Sequence, residues 1–377
     1  MASITARRQQ AATRVAFFIP GFVIASWAPL VPLAKARASL DDAMLGLVLL
    51  CLGLGSLVAM PLSGVLAARF GCRAVMVVAV AIMVSALPLL AVVDSPLAVG
   101  LVLLVFGAAI GGMDCVMNIQ AVRVERESGR AMMSGFHAFY SIGSLVGAAA
   151  VTVLLSLGSG ALLATALASG CAIAMAAVSM HAWRGDREPR GESAFAMPRG
   201  VVLVIGLICF VTFLVEGSML DWSAVFLHEV RGIELAHAGW GFVAFNVAMT
   251  GARLLGDRVV DWLGHARAVL VGGLVASAGL VLATLSPGLA VTLSGFALLG
   301  VGCANIVPVM FTYAGRQHTL PESIAIPVVT TMGYAGILLG PALIGFIAHH
   351  GSLSLAFLIC SAALACAAVA GAAIRLR

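Results

Sequence analysis

Ala43-Met-Leu-Gly-Leu-Val-Leu-Leu-Cys-Leu-Gly-Leu-Gly-Ser-Leu-Val-Ala-Met-Pro-Leu-Ser-Gly-Val-Leu66 contains no charge, and Ala67-Ala68-Arg69-Phe70-Gly71-Cys72-Arg73 follows with two arginines. A helix needs ~20 apolar residues to cross the hydrocarbon core of a bilayer, so this stretch predicts one crossing and a basic turn. The pattern recurs along the chain as twelve runs, near 15–34, 43–66, 74–93, 97–121, 131–157, 161–183, 201–227, 236–255, 267–286, 289–314, 325–348 and 352–374. Positive charge collects in every second gap and at the termini: Arg7, Arg8, Arg14, Arg69, Arg73, Arg123, Arg126, Arg130, Arg184, Arg187, Arg190, Arg199, Arg253, Arg258, Arg267, Arg316, Arg375 and Arg377. These are 18 of the 21 Lys and Arg residues, and Lys35, Arg37 and Arg231 fall outside. The bias predicts a multi-pass membrane protein with both termini in the cytoplasm.

With 62% hydrophobic and 10% charged residues, a water-soluble domain is excluded. The +5 net charge follows the loop bias, and no basic cluster is interleaved with aromatics, so no nucleic-acid partner is expected. The eight cysteines lie almost wholly in apolar runs without metal-ligand spacing, and they read as small core side chains. The pair His349 and His350 lacks further ligands; no metal and no cofactor are expected. Arg7, Arg8 and the small residues Ala34 and Ala36 imitate a cleavable signal peptide. Cleavage there would leave eleven helices and break the symmetry that follows.

Shifting the chain against itself by 193 positions superposes Gly46 on Gly239, Gly71 on Gly264, Gly107 on Gly300, Gly143 on Gly336, Gly147 on Gly340 and Gly158 on Gly351. Composition alone gives roughly two coincidences, against these six. The expected architecture is all-α, with two pseudo-symmetric six-helix bundles: 1–184, a polar cytoplasmic linker 185–200, and 201–377. Gly143 with Gly147, and Gly336 with Gly340, have the small-xxx-small spacing of close helix contacts and are expected at the seam between the halves.

Gly64-Val-Leu-Ala-Ala-Arg69-Phe-Gly71-Cys-Arg73 resembles the G-x-L-x-D-R-x-G-R signature of the major facilitator superfamily, with Ala68 where that signature has Asp. The second copy, Asp257-Arg-Val-Val-Asp261-Trp-Leu-Gly264-His-Ala-Arg267, restores the acid at Asp261 and puts Trp262 in place of the arginine. The resemblance implies a conformational latch of charges and helix ends at Gly64, Arg69, Gly71, Arg73, Asp257, Asp261 and Gly264, with Asp261 carrying more of the role. Asp114-Cys-Val-Met-Asn118 and the stretch Met132 to Gly143 resemble the fucose–proton symporters and the YbjJ-like inner-membrane proteins. Ser26-Trp27 stand where those symporters carry an acid in their first helix.

A carboxylate in the hydrocarbon core costs at least ~2.5 kcal/mol, so each one is a functional candidate. Asp114, His137 and Glu216 are the proton-coupling candidates. Gly107, Gly111, Asp114 and Asn118 share one helix face, whose small residues admit either a close neighbour or a ligand. Asp114 and His137 lie on consecutive helices at comparable depth and are expected to meet. Glu216 is expected to pair with Asn246, and Arg253 with Asp257 four residues on. Asn305 either binds substrate or repairs the backbone bonds freed by Pro308. Asn118, Trp27, Tyr140, Asn246, Asn305 and Tyr334 complete the substrate-binding candidates.

No GxxxxGK loop and no nucleophile–base or metal constellation is visible, which argues against an ATP-driven pump and against an enzyme. The sequence predicts a monomeric secondary transporter in the lipid bilayer, moving a small polar solute, sugar-like or an organic metabolite, by alternating access with proton coupling. A drug or metabolite–proton efflux antiporter is the alternative, and a non-transporting membrane sensor stands third.

Overall fold

The computed structural model describes residues 4–40, 42–187, 199–233 and 240–374. Most of the linker (188–198), Gly239, Arg375, Arg377 and the side chain of Asp221 lie outside the described residues. Within them the chain is helical, without a strand.

The first six runs become α1 (Ile4–Trp27), extended by one tight turn and α2 (Val31–Arg37), then α3 (Asp42–Phe70), α4 (Cys72–Leu90), α5 (Pro96–Ser128), α6 (Met133–Ser156) and α7 (Ala161–Ser179). The second six become α8 (Val201–Val225), prolonged by a π turn, α9 (Trp240–Leu263), α10 (His265–Leu285), α11 (Leu289–Cys303) with α12 (Ile306–Arg316), α13 (Glu322–His350) and α14 (Leu353–Ala372). Among the described residues, eleven spans are long and apolar enough to cross a membrane, α11 and α12 counting as one. The remaining helix, α9, carries Arg253, Asp257, Arg258 and Asp261, which dilute its apolar content. Its apolar run therefore ends before its helix does, and Arg253 lies inside α9 instead of in a loop.

The chain divides into two compact units. The first holds Met1–Gly129, Phe139–Ala196 and Pro321–Pro327; the second holds Arg130–Ala138, Met197–Leu320 and Val328–Arg377. The first turns of α6 thus belong to the second unit, and those of α13 to the first.

Inside each unit the repeat is visible atom by atom. A Cβ at Gly107 would overlap the Leu52 carbonyl oxygen, and one at Gly300 would overlap that of Phe245, the residue 193 positions after Leu52. Gly71 and Gly264 share left-handed backbones, φ 84° and 80°, and each donates its N–H over 2.8 Å, to the carbonyls of Ala67 and Val260. A side chain there would be strained, so each turn into the next helix requires glycine.

The paired glycines of α6 and α13 each meet a neighbouring helix backbone. Gly143 and Gly147 lie against the backbone of Phe18 and Phe22 on α1, and Gly336 and Gly340 against Phe210 and Leu214 on α8. Each pair joins two helices of its own unit, so the close contact that the spacing predicts is made inside each unit. Without a hydrophobic drive in lipid, such backbone approach supplies the dispersion that holds helices together.

The arginines outside the basic gaps have a structural reason. Arg37 donates from Nε to the Val93 carbonyl at 2.8 Å and from Nη2 to Leu90 at 2.6 Å, closing the end of α4. Arg231 donates from Nη2 to Ala283 at 2.8 Å and Thr284 at 2.7 Å, closing α10, and lies over the Phe226 ring. A cation at a helix C-terminus meets both the free carbonyls and the macrodipole. Phe226 in turn stacks on Phe357 with centroids 5.0 Å apart, at the heart of the second unit's core.

Candidate functional site

Pro308 has no N–H, so the Ala304 carbonyl loses the donor it would have in an unbroken helix. The tenth span breaks there: α11 ends at Cys303, and α12 restarts at Ile306 after Asn305. Arg253 fills the gap, its Nε donating to the Ala304 carbonyl at 3.3 Å. The repair expected of Asn305 therefore comes from Arg253. Asn305 Oδ1 instead accepts from Ser134 Oγ at 2.6 Å.

The other arm of the same guanidinium reaches Glu216 on α8, with Nη2 3.3 Å from Oε2 and 3.5 Å from Oε1. Both side chains are nearly enclosed, 8% exposed for Arg253 and 13% for Glu216. Glu216 thus pairs with Arg253, replacing the expected Asn246, which stays half-buried on α9. An isolated carboxylate here would be expensive; a partner guanidinium within hydrogen-bond range offsets that cost. The His137 ring stacks on Phe311 of α12, centroids 5.8 Å apart. Tyr334 meets Phe213 edge to face at 6.3 Å. All of these residues belong to the second unit.

Asp114, Asn118, Trp27 and Tyr140 belong to the first unit. The glycine face of α5 is filled by a neighbour: Gly107 and Gly111 press on Leu52 and Ser56 of α3, and Ser56 Oγ donates to the Gly107 carbonyl at 2.8 Å. Asp114 is 8% exposed and Asn118 is fully buried. Asn118 Nδ2 donates to the main-chain carbonyl of Asp114 at 2.8 Å, while its Oδ1 is buried with no hydrogen-bond partner among the described residues. A polar atom in that state costs about 1–3 kcal/mol, so it marks a place where a solute hydroxyl or a water would be welcome. Trp27 is buried and Tyr140 half-buried. Asp114 and His137 fall in different units.

The loop signature has two fates. In the second unit, the Asp257 carboxylate accepts from the Gly135 N–H at 3.1 Å and Asp261 Oδ1 accepts from Ala131 N–H at 3.1 Å. Asp257 thereby caps the start of α6, where free N–H groups and the positive helix end favour negative charge, and Asp261 holds the turn just before it. In the first unit, Gly64 leaves no room for a side chain, since a Cβ would overlap Pro327 Cγ and the Ser323 carbonyl oxygen. Arg69 is exposed, its guanidinium over Phe70. Arg73 donates to the Trp183 and His181 carbonyls at 2.9 Å, closing the end of the α7 span.

Sequence reasoning missed Glu322, the first residue of α13. Arg123 Nε lies 2.6 Å from its Oε1 and Arg126 Nη2 3.0 Å from its Oε2. An acid directly after Pro321 was the available signal, since that order opens helices. Arg253 was missed as a site residue because it was counted with the loop arginines.

A family model described as Major Facilitator Superfamily matches residues 14–321. An uncharacterized MFS-type transporter of Yersinia pestis is 51% identical over 352 residues, covering 93% of this chain and 91% of that one. Membrane protein MosC of Rhizobium meliloti is 33% identical over 359 residues, 94% of this chain and 88% of its own. Among solved structures, the E. coli fucose:proton symporter FucP is 13% identical, with a TM-score of 0.78 over 96% of this chain and 97% of that one, a likeness of fold.

Proposed function

This chain belongs to the major facilitator superfamily, and on that premise we propose that it is a secondary active transporter, moving a small polar solute by alternating access with proton coupling. The observation that carries this reading is the Glu216–Arg253 pair, two opposite charges enclosed in membrane-spanning helices and tied to a broken third helix. Charged groups inside membrane spans are costly and serve ion or substrate pathways by default. A proton on Glu216 removes the charge that holds Arg253, leaving the guanidinium on the Ala304 carbonyl and free to meet a polar group of the solute. Asp114 is the second proton candidate, with Asn118, Trp27 and Tyr140 beside it in the first unit; His137, Asn246, Asn305 and Tyr334 complete the set in the second.

The moving parts are the two halves, 1–184 and 201–377, joined by 185–200, in a monomer of the bacterial inner membrane with cytoplasmic termini. The arginine bias supports that orientation, and the bacterial relatives support that membrane. The hydrogen bonds of Asp257 and Asp261 and the Arg123–Glu322 contact act as the latch that one conformation makes and the other releases. A sugar-like or organic metabolite suits Asn and aromatic side chains better than a strongly apolar drug.

The test is a thermal-shift screen of candidate solutes, then flux into proteoliposomes with and without a pH gradient. Asp114→Asn or Glu216→Gln should abolish accumulation driven by the gradient and leave part of the solute exchange. Unchanged accumulation in both variants removes proton coupling from the reading; a gradient that drives solute outward establishes the efflux alternative.

A further inference from the structure

A cavity of about 600 Å³ opens at the arginine-rich end of the first unit, between the start of α1, the start of α4 and the end of the α7 span. Its size lies within the range of small-molecule sites. Its polar wall is Arg8, Gln9, Arg73, His181, Arg184 and Asp186. Arg184 is already matched: it pairs with Glu127, and its Nη2 lies 2.8 Å from Asp186. Arg73 uses two N–H groups on carbonyls, which leave its charge uncancelled, and neither Arg73 nor Arg8 has a carboxylate partner among the described residues. The lining therefore keeps a surplus of positive charge.

The rest of the lining includes apolar side chains. Val15, Val178 and Ala182 are among them, and Val178 is 86% exposed. An exposed valine on a membrane span faces acyl chains, so the cavity borders lipid as well as the basic end of the unit. A free phosphate would leave the apolar side chains unused; an amphiphile would cover both kinds.

We propose that this cavity binds the phosphate of an anionic phospholipid headgroup, with Arg8 and Arg73 holding the anion and Val15 and Val178 the glycerol end of the chains. Basic pockets between membrane helices recognise lipid in this way. The site is independent of the transport pathway proposed above.

The full-length protein in a neutral detergent separates the alternatives. Phosphatidylglycerol, phosphatidylcholine at equal mole ratio and inorganic phosphate would each be added, with bound lipid read by native mass spectrometry and stability by thermal shift. Phosphatidylglycerol should be retained and raise Tm, and the other two should not. Arg8→Glu should weaken retention at least about fivefold, since each surface arginine near an anionic headgroup counts for about that factor. Arg8→Lys should keep most of it. Arg7→Glu is the control, an equal charge change on an exposed residue of the same helix that does not line the cavity. Equal retention of phosphatidylcholine, equal losses in Arg7→Glu and Arg8→Glu, or a full shift with inorganic phosphate alone would each overturn the proposal.

Discussion

The starts of α6 and α13 are equivalent places in the repeat, and they are secured by different chemistry. At α6 two carboxylates, Asp257 and Asp261, accept from main-chain N–H groups. At α13 the positions 193 earlier are Gly64 and Ala68, and the helix's own Glu322 is gripped by Arg123 and Arg126. In one case the helix end offers donors to an acid from elsewhere; in the other it offers an acid to arginines from elsewhere. The source of the acid differs, yet negative charge sits at the positive helix end both times. A symmetric fold therefore needs the same electrostatic result at both places, not the same residues.

The largest effect should come from the enclosed Glu216–Arg253 contact of the second unit. Arg253→Met leaves Glu216 enclosed without its partner and the Ala304 carbonyl without a donor, and should cost about 3–5 kcal/mol in detergent unfolding. Adding Glu216→Gln to it should recover much of that loss; no recovery would mean the arginine matters for α11 and α12 alone. Next, Gly64→Asp tests whether the two loops are interchangeable. The overlap with Pro327 and Ser323 should make it destabilising by about 2–3 kcal/mol, and a neutral or stabilising result would sink the steric account. Glu322→Gln should cost about 1.5–2 kcal/mol, the lower part of the range for a hydrogen bond to a charged group. Asp257→Ala should cost about 1 kcal/mol, as a lost helix cap does. Arg126 is 53% exposed on its side chain, and Arg126→Ala should change stability by less than ~0.5 kcal/mol. If it matches Glu322→Gln, Arg126 and not Arg123 is the main grip.

The spans, their number and the repeat were legible because apolar length and glycine spacing are written directly in the chain. Gly107 and Gly300 show how far that reaches: the shift of 193 finds not only the pair but the carbonyl each one touches. The partner of a small residue was less legible. Spacing of i and i+4 says that Gly143 and Gly147 meet a helix, but α1 and a helix of the other half satisfy that pattern equally well. The charge network was least legible. Counting arginines by loop assigned Arg253 to a gap, since the four charges of α9 end its apolar run eight residues before Leu263. Glu216 then lost its true partner and was matched to the nearest amide in depth.

Arg37 and Arg231 show that a basic residue can sit on the unfavoured face of a membrane protein without arguing about direction. Their donors are aimed at two carbonyls each, so a lysine, with one compact ammonium, would be a poor stand-in. An engineer who inverted this chain by repainting its loops would have to spare both: they are fittings of the helix bundle, not signposts for the insertion machinery.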